Sequence, residues 1–322
     1  MNNQRIVTSS QSPVASQGKR KELTGYRLFS QFSWLLATSY WLLFLPWLLF
    51  LAGCGSAPPQ LSDTHLKAAE LNRKAETAFR KADYKQALVL YSEALRTDRS
   101  IENLDGIAIN LINLAAVSRE TGDRVKAHKY IDEIFKSSPM TKDPSLLTEA
   151  AFVKASVCAD EGRYDLSTEW ADRALSYCRD KECGTEGKLY NLKARLSLLK
   201  GDPASALSYG GTALELNSKY KDSEETANSL KLLASARASK GDMGGAVKLY
   251  EEALAIDKAA GLSRKVIIDL AGLGDILAAQ GRNEEALQYY QRALSAAGSA
   301  GTERAVKDLS EKISVLNKKQ TQ

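Results

Sequence analysis

A short pattern of small residues returns six times in this chain, at intervals of 40, 40, 39, 40 and 40 residues. Each copy is centred on a turn residue, with small residues seven positions before it and five and twelve positions after it. The turn residues are Ala82, Gly122, Gly162, Gly201, Gly241 and Gly281. A fixed period of this length indicates a repeat architecture. Such an array generally functions through an extended surface rather than through a catalytic pocket.

The positions around the turns hold Ala, Ser or Gly, and Ile134 is the one large residue among them. They are Ala75, Ala115, Ala155, Ala194, Ala234 and Gly274 before the turns, and Ala87, Ala127, Ser167, Ala206, Ala246, Ala286, Ala94, Ile134, Ala174, Ala213, Ala253 and Ala293 after them. Apolar residues recur at helical intervals on both sides of each turn, which predicts two amphipathic helices per unit. Small residues on the facing stripes let helix axes approach to about 8–10 Å.

This pattern resembles the tetratricopeptide (TPR) repeat. Repeat six matches the family positions best, with Leu270, Leu273, Gly274, Gly281, Ala286, Tyr290 and Ala293. The usual unit has about 34 residues, so the units here resemble the longer TPR variants. The resemblance covers roughly Lys67 to Gly301. It implies an all-α fold, a right-handed α-solenoid of six helix-turn-helix repeats over residues 63–301.

Residues 302–322 are expected to form a capping helix and a short tail. Ala305, Leu309, Ile313 and Leu316 share one face of this segment, while the opposite face is charged. A terminal element with a polar outer face is what a repeat array requires at its end. The predicted solenoid therefore closes at its C-terminus with a single helix.

The N-terminal 53 residues have the composition of a secretory signal. A basic flank precedes an apolar stretch from Phe32 to Leu51, which ends in small residues before Cys54. Leu51-Ala52-Gly53-Cys54 resembles the bacterial lipobox, which implies acylation of Cys54, a signal peptide over 1–53 and a lipidated tether over 54–62. The alternative is an uncleaved membrane helix over Phe32–Gly53, which is 22 residues long. The long polar stretch before the apolar run leaves the translation start open.

Both interpretations of the N-terminus place the repeats outside the cytoplasmic membrane. Gly55 follows Cys54, where enterobacterial lipoproteins retained in the inner membrane have Asp; by resemblance this favours the outer membrane, facing the periplasm, in a diderm organism. Without residues 1–53 the chain has 39 Lys and Arg against 38 Asp and Glu. A net charge near zero argues against a nucleic-acid-binding surface.

The sequence offers no catalytic motif, and we expect the protein not to be an enzyme. His65 and His128 have no metal-ligand residue at useful spacing, so both are predicted to be solvated helix residues and no metal site is expected. No cofactor is expected other than the covalent lipid on Cys54. Cys158 lies among apolar residues of a predicted helix and has the character of a small buried hydrophobe.

Cys178 and Cys183 flank the connection between repeats three and four. In an oxidising envelope compartment a pair at this spacing is a reasonable disulfide. Two unbonded thiols in a loop are the alternative.

The TPR resemblance also implies a concave face formed by the first helix of each repeat, with the residues 13, 10 and 6 positions before each turn pointing into it. These positions are mainly apolar towards the two ends, with Ile109, Ile112 and Ala116 in repeat two and Ile268, Ala271 and Asp275 in repeat six. In repeats four and five they form a cationic and amide-rich patch of Lys188, Asn191, Arg195, Asn228 and Lys231. We expect surface charges here that suit a peptide partner, the alternative being an ordinary solvated helix face.

The combined pattern is similar to bacterial TPR lipoproteins. The resemblance implies an envelope scaffold or adaptor that binds other proteins or peptides, in pilus assembly, outer-membrane barrel assembly or control of cell-wall hydrolases. The alternative is a structural array that self-associates, as a homo-oligomer, without a dedicated peptide groove.

Overall fold

The computed structural model describes residues 62–136, 140–178 and 183–320. Within those residues the chain is entirely helical, with thirteen α-helices and no strand. The helices are α1 (Asp63–Arg80), α2 (Tyr84–Ser100), α3 (Leu104–Glu120), α4 (Arg124–Phe135), α5 (Pro144–Asp160), α6 (Tyr164–Cys178), α7 (Glu186–Leu199), α8 (Pro203–Lys219), α9 (Ser223–Ser239), α10 (Met243–Ala259), α11 (Ser263–Ala279), α12 (Asn283–Ser299) and α13 (Glu303–Gln320).

The helices pair into six hairpins, α1–α2 through α11–α12, and α13 follows as a single helix. Eight of them span 17 residues each. Two such helices and two three-residue turns make up the 40-residue period. The architecture is therefore the predicted α-solenoid of six repeats with a terminal helix.

Each turn reverses the chain through a residue with positive φ. Glycine occupies that position in five of the six hairpins, with φ between 75° and 85°, and Ala82 takes it in the first at 60°. Glycine carries no Cβ and reaches this left-handed conformation without strain. The joins between repeats use the same geometry at Glu102, Lys221, Gly261 and Gly301.

Aspartate or asparagine starts most of the helices. Its side chain accepts a hydrogen bond from a backbone N–H of the first turn, which satisfies a donor that the helix itself leaves unpaired. The capping residues are Asp83, Asn103, Asp123, Asp143, Asp202, Asp222 and Asp242. Pro144 and Pro203 open α5 and α8, where the proline ring is tolerated.

All of the small-residue positions of the repeat are buried, Ile134 included. They form the lines along which the two helices of a hairpin meet. Gly274 shows how close the approach is, because a Cβ added there would lie 2.5 Å from Cε1 of Tyr290. The small residues of the repeat pattern are therefore core residues in the structure.

The first helices of the repeats lie on the inner side of the array. α3 contacts α5 and α7 contacts α9, whereas in the described residues no second-helix pair makes a comparably extensive contact. Elements on the inside of a curve come closer together than those on the outside. The array curves far enough that Arg264 Nη1 at the start of α11 lies 3.4 Å from the Tyr84 hydroxyl in α2.

Leu309 and Leu316 of α13 are buried against the last hairpin. The proposed signal peptide and Cys54 lie outside the described residues. Among the helices that are described, none has both the length and the apolar character needed to cross a membrane.

Candidate functional site

The predicted groove residues of repeats four and five are much less exposed than expected. Lys188 and Asn191 are buried, and the Lys231 side chain is only 13% exposed. Arg195 and Asn228 are half-buried. The expectation of surface charges at Lys188 and Lys231 is therefore wrong, because both lysines are largely shielded from solvent, and Lys231 contacts carboxylates of repeats five and six. Whether the five residues bind a partner stays a prediction.

Asn191 joins α7 to α9. Its Nδ2 donates to the backbone carbonyl of Glu225 at 3.1 Å and to Glu225 Oε2 at 3.0 Å. Its Oδ1 accepts from the Ser229 hydroxyl at 2.8 Å. Burial raises the pKa of Glu225, against the effect of nearby Lys188 and the amide donors. This polar cluster fixes the register of repeats four and five.

Asn228 and Lys265 continue the network into repeat six. Lys265 Nζ lies 3.1 Å from Asn228 Oδ1 and 3.0 Å from Glu224 Oε1, and the lysine is itself buried. The amide that the sequence assigned to partner recognition therefore accepts from a lysine of the next repeat.

Lys231 carries the third interior contact. Its ammonium lies 2.8 Å from Asp257 Oδ2 and 3.1 Å from Asp269 Oδ1, and both carboxylate side chains are fully buried. Burial and the adjacent Asp257 raise the pKa of Asp269 to about 6, although Lys231 opposes this. One lysine thus holds two buried aspartates from α10 and α11.

The two ends of the predicted groove differ from each other. Ile109, Ile112 and Ala116 are buried, the two isoleucines within the largest core cluster. In repeat six Ile268 and Asp275 are exposed, and Asp275 Oδ1 lies 2.6 Å from Lys312 Nζ of α13. The apolar end in repeat two is core, so the prediction of an open apolar groove there is wrong.

Arg195 has a more open environment, at a pocket of about 360 Å³ that the sequence did not predict. Its Nη2 lies 3.2 Å from Asp160 Oδ1, and Arg119 Nε lies 2.5 Å from the other oxygen of that carboxylate. The two arginines and the aspartate come from α7, α3 and α5, which are three successive inner helices. The rest of the lining is formed by Glu120, Arg124, Ala159, Tyr164 and Leu199.

The lining of the pocket holds three arginines, Arg119, Arg124 and Arg195, against two carboxylates, Asp160 and Glu120. Although burial opposes it, Arg119 and Arg195 hold the pKa of Asp160 below its usual range, so the carboxylate is charged. The Arg119 side chain is 5% exposed, and its Nη1 has no hydrogen-bond partner among the described residues. Guanidinium N–H groups in this arrangement are suited to a carboxylate ligand.

The structure pairs Cys178 with Cys183 as a disulfide, with the two Cα atoms 5.5 Å apart. Both cysteines are buried. The oxidation state of this pair in the cell stays a prediction.

His128 is not the solvated residue that the sequence suggested. It is half-buried in α4, and its Nε2 lies 3.1 Å from both carboxylate oxygens of Glu161, which follows α5. Cys158 of α5 is beside them. His128 lies 30 residues before Cys158 in the sequence, which is why spacing alone did not group it with Cys158 and Glu161.

Comparison with known proteins agrees with this architecture. Two tetratricopeptide repeat family models match the chain, one over residues 185–259 and the other over residues 270–305. A search of the curated proteins finds no match.

Several solved structures share the fold. RapI in its apo form has a TM-score of 0.59 and 13% identity, over 79% of this chain and 72% of RapI. A Rap protein complexed with competence and sporulation factor has a TM-score of 0.60 and 13% identity, over 80% of this chain and 72% of that one. NprR in complex with its cognate peptide NprX has a TM-score of 0.55 and 17% identity, over 81% and 74% of the two chains.

Identities this low show the shared solenoid fold and nothing finer. The first matched segment spans helices α7 to α10, and the second runs from within α11 through α12 to the start of α13. The chain therefore contains tetratricopeptide repeats, at residues 185–259 and 270–305 of a continuous helical array.

Proposed function

We propose that this protein is a lipid-anchored envelope scaffold whose inner face binds an acidic peptide segment of a partner protein. The observation that carries the proposal is the pocket in which Arg119 and Arg195 share the carboxylate of Asp160. Repeat arrays of this kind offer extended concave surfaces for partners rather than catalytic centres.

The pocket lies where a bound segment would meet several repeats at once. Its walls come from α3, α5 and α7 on the inner side and from the starts of α4 and α6. Arg195 is half-buried and Arg124 is exposed, so both guanidinium groups can contact a ligand from solvent. An acidic side chain or a C-terminal carboxylate would accept charge-assisted hydrogen bonds from them.

The interior polar network supports this role indirectly. Buried contacts at Asn191, Lys231 and Lys265 link repeats four, five and six to one another. A surface whose shape is fixed before binding loses less conformational entropy when the partner docks. Two solenoids of similar fold have been solved with a ligand, a Rap protein with competence and sporulation factor and NprR with its cognate peptide NprX, which supports a ligand-binding role for the present array.

The membrane anchor in this proposal is Cys54. One acyl chain binds a membrane only marginally, but a diacylglyceryl cysteine with an N-acyl chain anchors a protein stably. Replacing Cys54 with serine should block processing, leave a longer precursor and abolish lipid labelling. Wild-type protein that washes off membranes at high salt, or an unlipidated Cys54 by mass spectrometry, would contradict the anchor.

The peptide-binding role is tested on the full chain in detergent. The probe is an array of peptides in matched pairs, identical except that Asp and Glu in one member are Asn and Gln in the other. We expect wild type to prefer the acidic members. The double variant Arg124→Gln and Arg195→Gln should lose that preference and bind the acidic peptides at least about tenfold more weakly.

The matched control removes two exposed lysines from second helices, with Lys85→Gln and Lys248→Gln. It lowers the net charge equally but leaves the pocket intact, so it should bind as wild type does. An equal loss of affinity for acidic peptides in both double variants would mean that binding depends on the overall charge and not on the pocket. No preference for acidic peptides in wild type would contradict the proposal.

A further inference from the structure

His128, Cys158 and Glu161 meet at the junction of repeats two and three. His128 lies in the first half of α4, Cys158 in the last turn of α5, and Glu161 directly after α5. One ligand atom from each side chain, a ring nitrogen, the sulfur and a carboxylate oxygen, lies within 4.8 Å of the other two. The three groups therefore converge on one point between two packed helices.

We propose that His128, Cys158 and Glu161 bind a zinc ion, or a similar borderline-soft divalent cation, between repeats two and three. Sulfur, imidazole nitrogen and carboxylate oxygen form a mixed donor set that zinc accepts, whereas magnesium and calcium prefer oxygen ligands alone. Zinc bonds to such atoms at about 2.0–2.3 Å. Ligands of one tetrahedral ion thus lie about 3.5 Å apart, which small side-chain rotations achieve from the observed separations.

Two groups of the cluster are available as ligands for an ion. Nδ1 of His128 is buried and has no hydrogen-bond partner among the described residues, which is costly for an imidazole. The Cys158 thiol is buried and forms no disulfide within the described part of the chain. His128 Nε2 already contacts both oxygens of Glu161. Thiolate, carboxylate and a divalent cation together would be neutral, and Arg163 Nη1, 3.4 Å from Glu161 Oε2, adds one positive charge on the exposed side.

The site has an entry path and an open position. His128 and Glu161 are half-buried, so the cluster faces solvent on their side, while Cys158 forms its floor. Three protein ligands leave a fourth position for water. Because α4 belongs to repeat two and Cys158 to repeat three, the ion would join the two repeats and stiffen the array beside the arginine pocket.

The test uses the full chain in detergent, kept reduced with a phosphine and freed of metal. Cys178→Ser with Cys183→Ser serves as the background, so that those two thiols cannot contribute. Zinc is titrated against a chromophoric chelator, and cobalt is added separately. We expect one zinc per chain and a thiolate-to-cobalt charge-transfer band in the near ultraviolet.

His128→Gln should lower zinc affinity about tenfold or more, and adding Cys158→Ala to the background should abolish the cobalt band. His65→Gln is the matched control, because His65 lies at the start of α1, away from the cluster; it should bind as the background does. Zinc should raise the thermal midpoint of the background but not that of His128→Gln. A background protein without the cobalt band, or a His128→Gln variant with unchanged affinity, would overturn the proposal.

Discussion

Lys231 Nζ lies 2.8 Å from Asp257 Oδ2 in the interior between repeats five and six. The same ammonium is 3.1 Å from Asp269 Oδ1. Burial opposes the charged lysine, but the two carboxylates outweigh it and raise the pKa of Lys231. The repeat pattern assigns Lys231 to the binding face. In the described residues, however, Lys231 is the only cation that Asp257 and Asp269 are shown to contact.

Replacing Lys231 with methionine should destabilise the solenoid strongly. The methionine keeps most of the aliphatic stem but leaves two buried carboxylates without their cation. Removing one partner of a buried ion pair costs about 3–5 kcal/mol. Urea unfolding followed by circular dichroism measures the change in midpoint. Lys248→Met, at an exposed position of α10, should change the midpoint little; equal midpoints for the two variants would show that the pair contributes nothing.

Ionisation of Asp269 should lower the free energy of unfolding as the pH rises. Its pKa in the folded protein is raised to about 6, well above that of a free aspartate, so between these two pKa values the folded state holds a proton that the unfolded state has released. The stabilising contribution is complete below the unfolded pKa and is lost as pH rises through about 6. Asp269→Asn keeps this side chain neutral at every pH.

The Asp269→Asn variant should therefore gain stability relative to wild type at pH 8, by about 1–3 kcal/mol, and gain little at pH 4. Thermal unfolding at both pH values measures the difference. Glu252→Gln in α10 is the control, because that carboxylate is exposed, and it should change stability little at either pH. A gain at pH 4 as large as that at pH 8 would contradict the assignment.

The fold was predictable because the small residues and the turns recur every 39 or 40 residues, and the apolar residues recur at helical intervals. The contacts of the inner face were not predictable in the same way. Lys231 meets Asp257 and Asp269 in later helices, and Asn191 meets Glu225 in the next repeat. Position within a unit gives the direction of a side chain, but its burial depends on which polar group the neighbouring repeat supplies.

The cluster of His128, Cys158 and Glu161 was missed for the same reason. His128 is six residues after the turn of repeat two, while Cys158 and Glu161 are four and one residues before the turn of repeat three. The turns within the hairpins of a solenoid all lie along one edge of the array. Comparing residues by their distance from the nearest turn, rather than by their separation along the chain, would have placed the three residues near that same edge.

Gly274 should resist substitution more than an exposed glycine in the same kind of helix. A Cβ there would lie 2.5 Å from Tyr290 Cε1, and the Tyr290 hydroxyl is held by Asp275 Oδ1 at 2.7 Å. The ring must shift, so Gly274→Ala should destabilise by about 1–3 kcal/mol. Gly211→Ala in α8 meets nothing within 4 Å and should stabilise by about 0.5–1 kcal/mol. Thermal unfolding of the two variants should therefore shift in opposite directions, and a shared direction would contradict the close approach of α11 and α12.

Cys178 and Cys183 should be bonded in protein taken from an oxidising envelope. Their Cα atoms are 5.5 Å apart, within the range that a disulfide spans. The loop that the bond closes is short, so its loss through Cys178→Ser with Cys183→Ser should cost about 2 kcal/mol or less by the loop-entropy model. Because both cysteines are buried in the folded protein, the chain must be denatured without reductant before the thiols are alkylated. Peptide mapping should then recover the two cysteines as one linked fragment and Cys158 as an alkylated thiol; quantitative alkylation of all three would show that the pair is reduced.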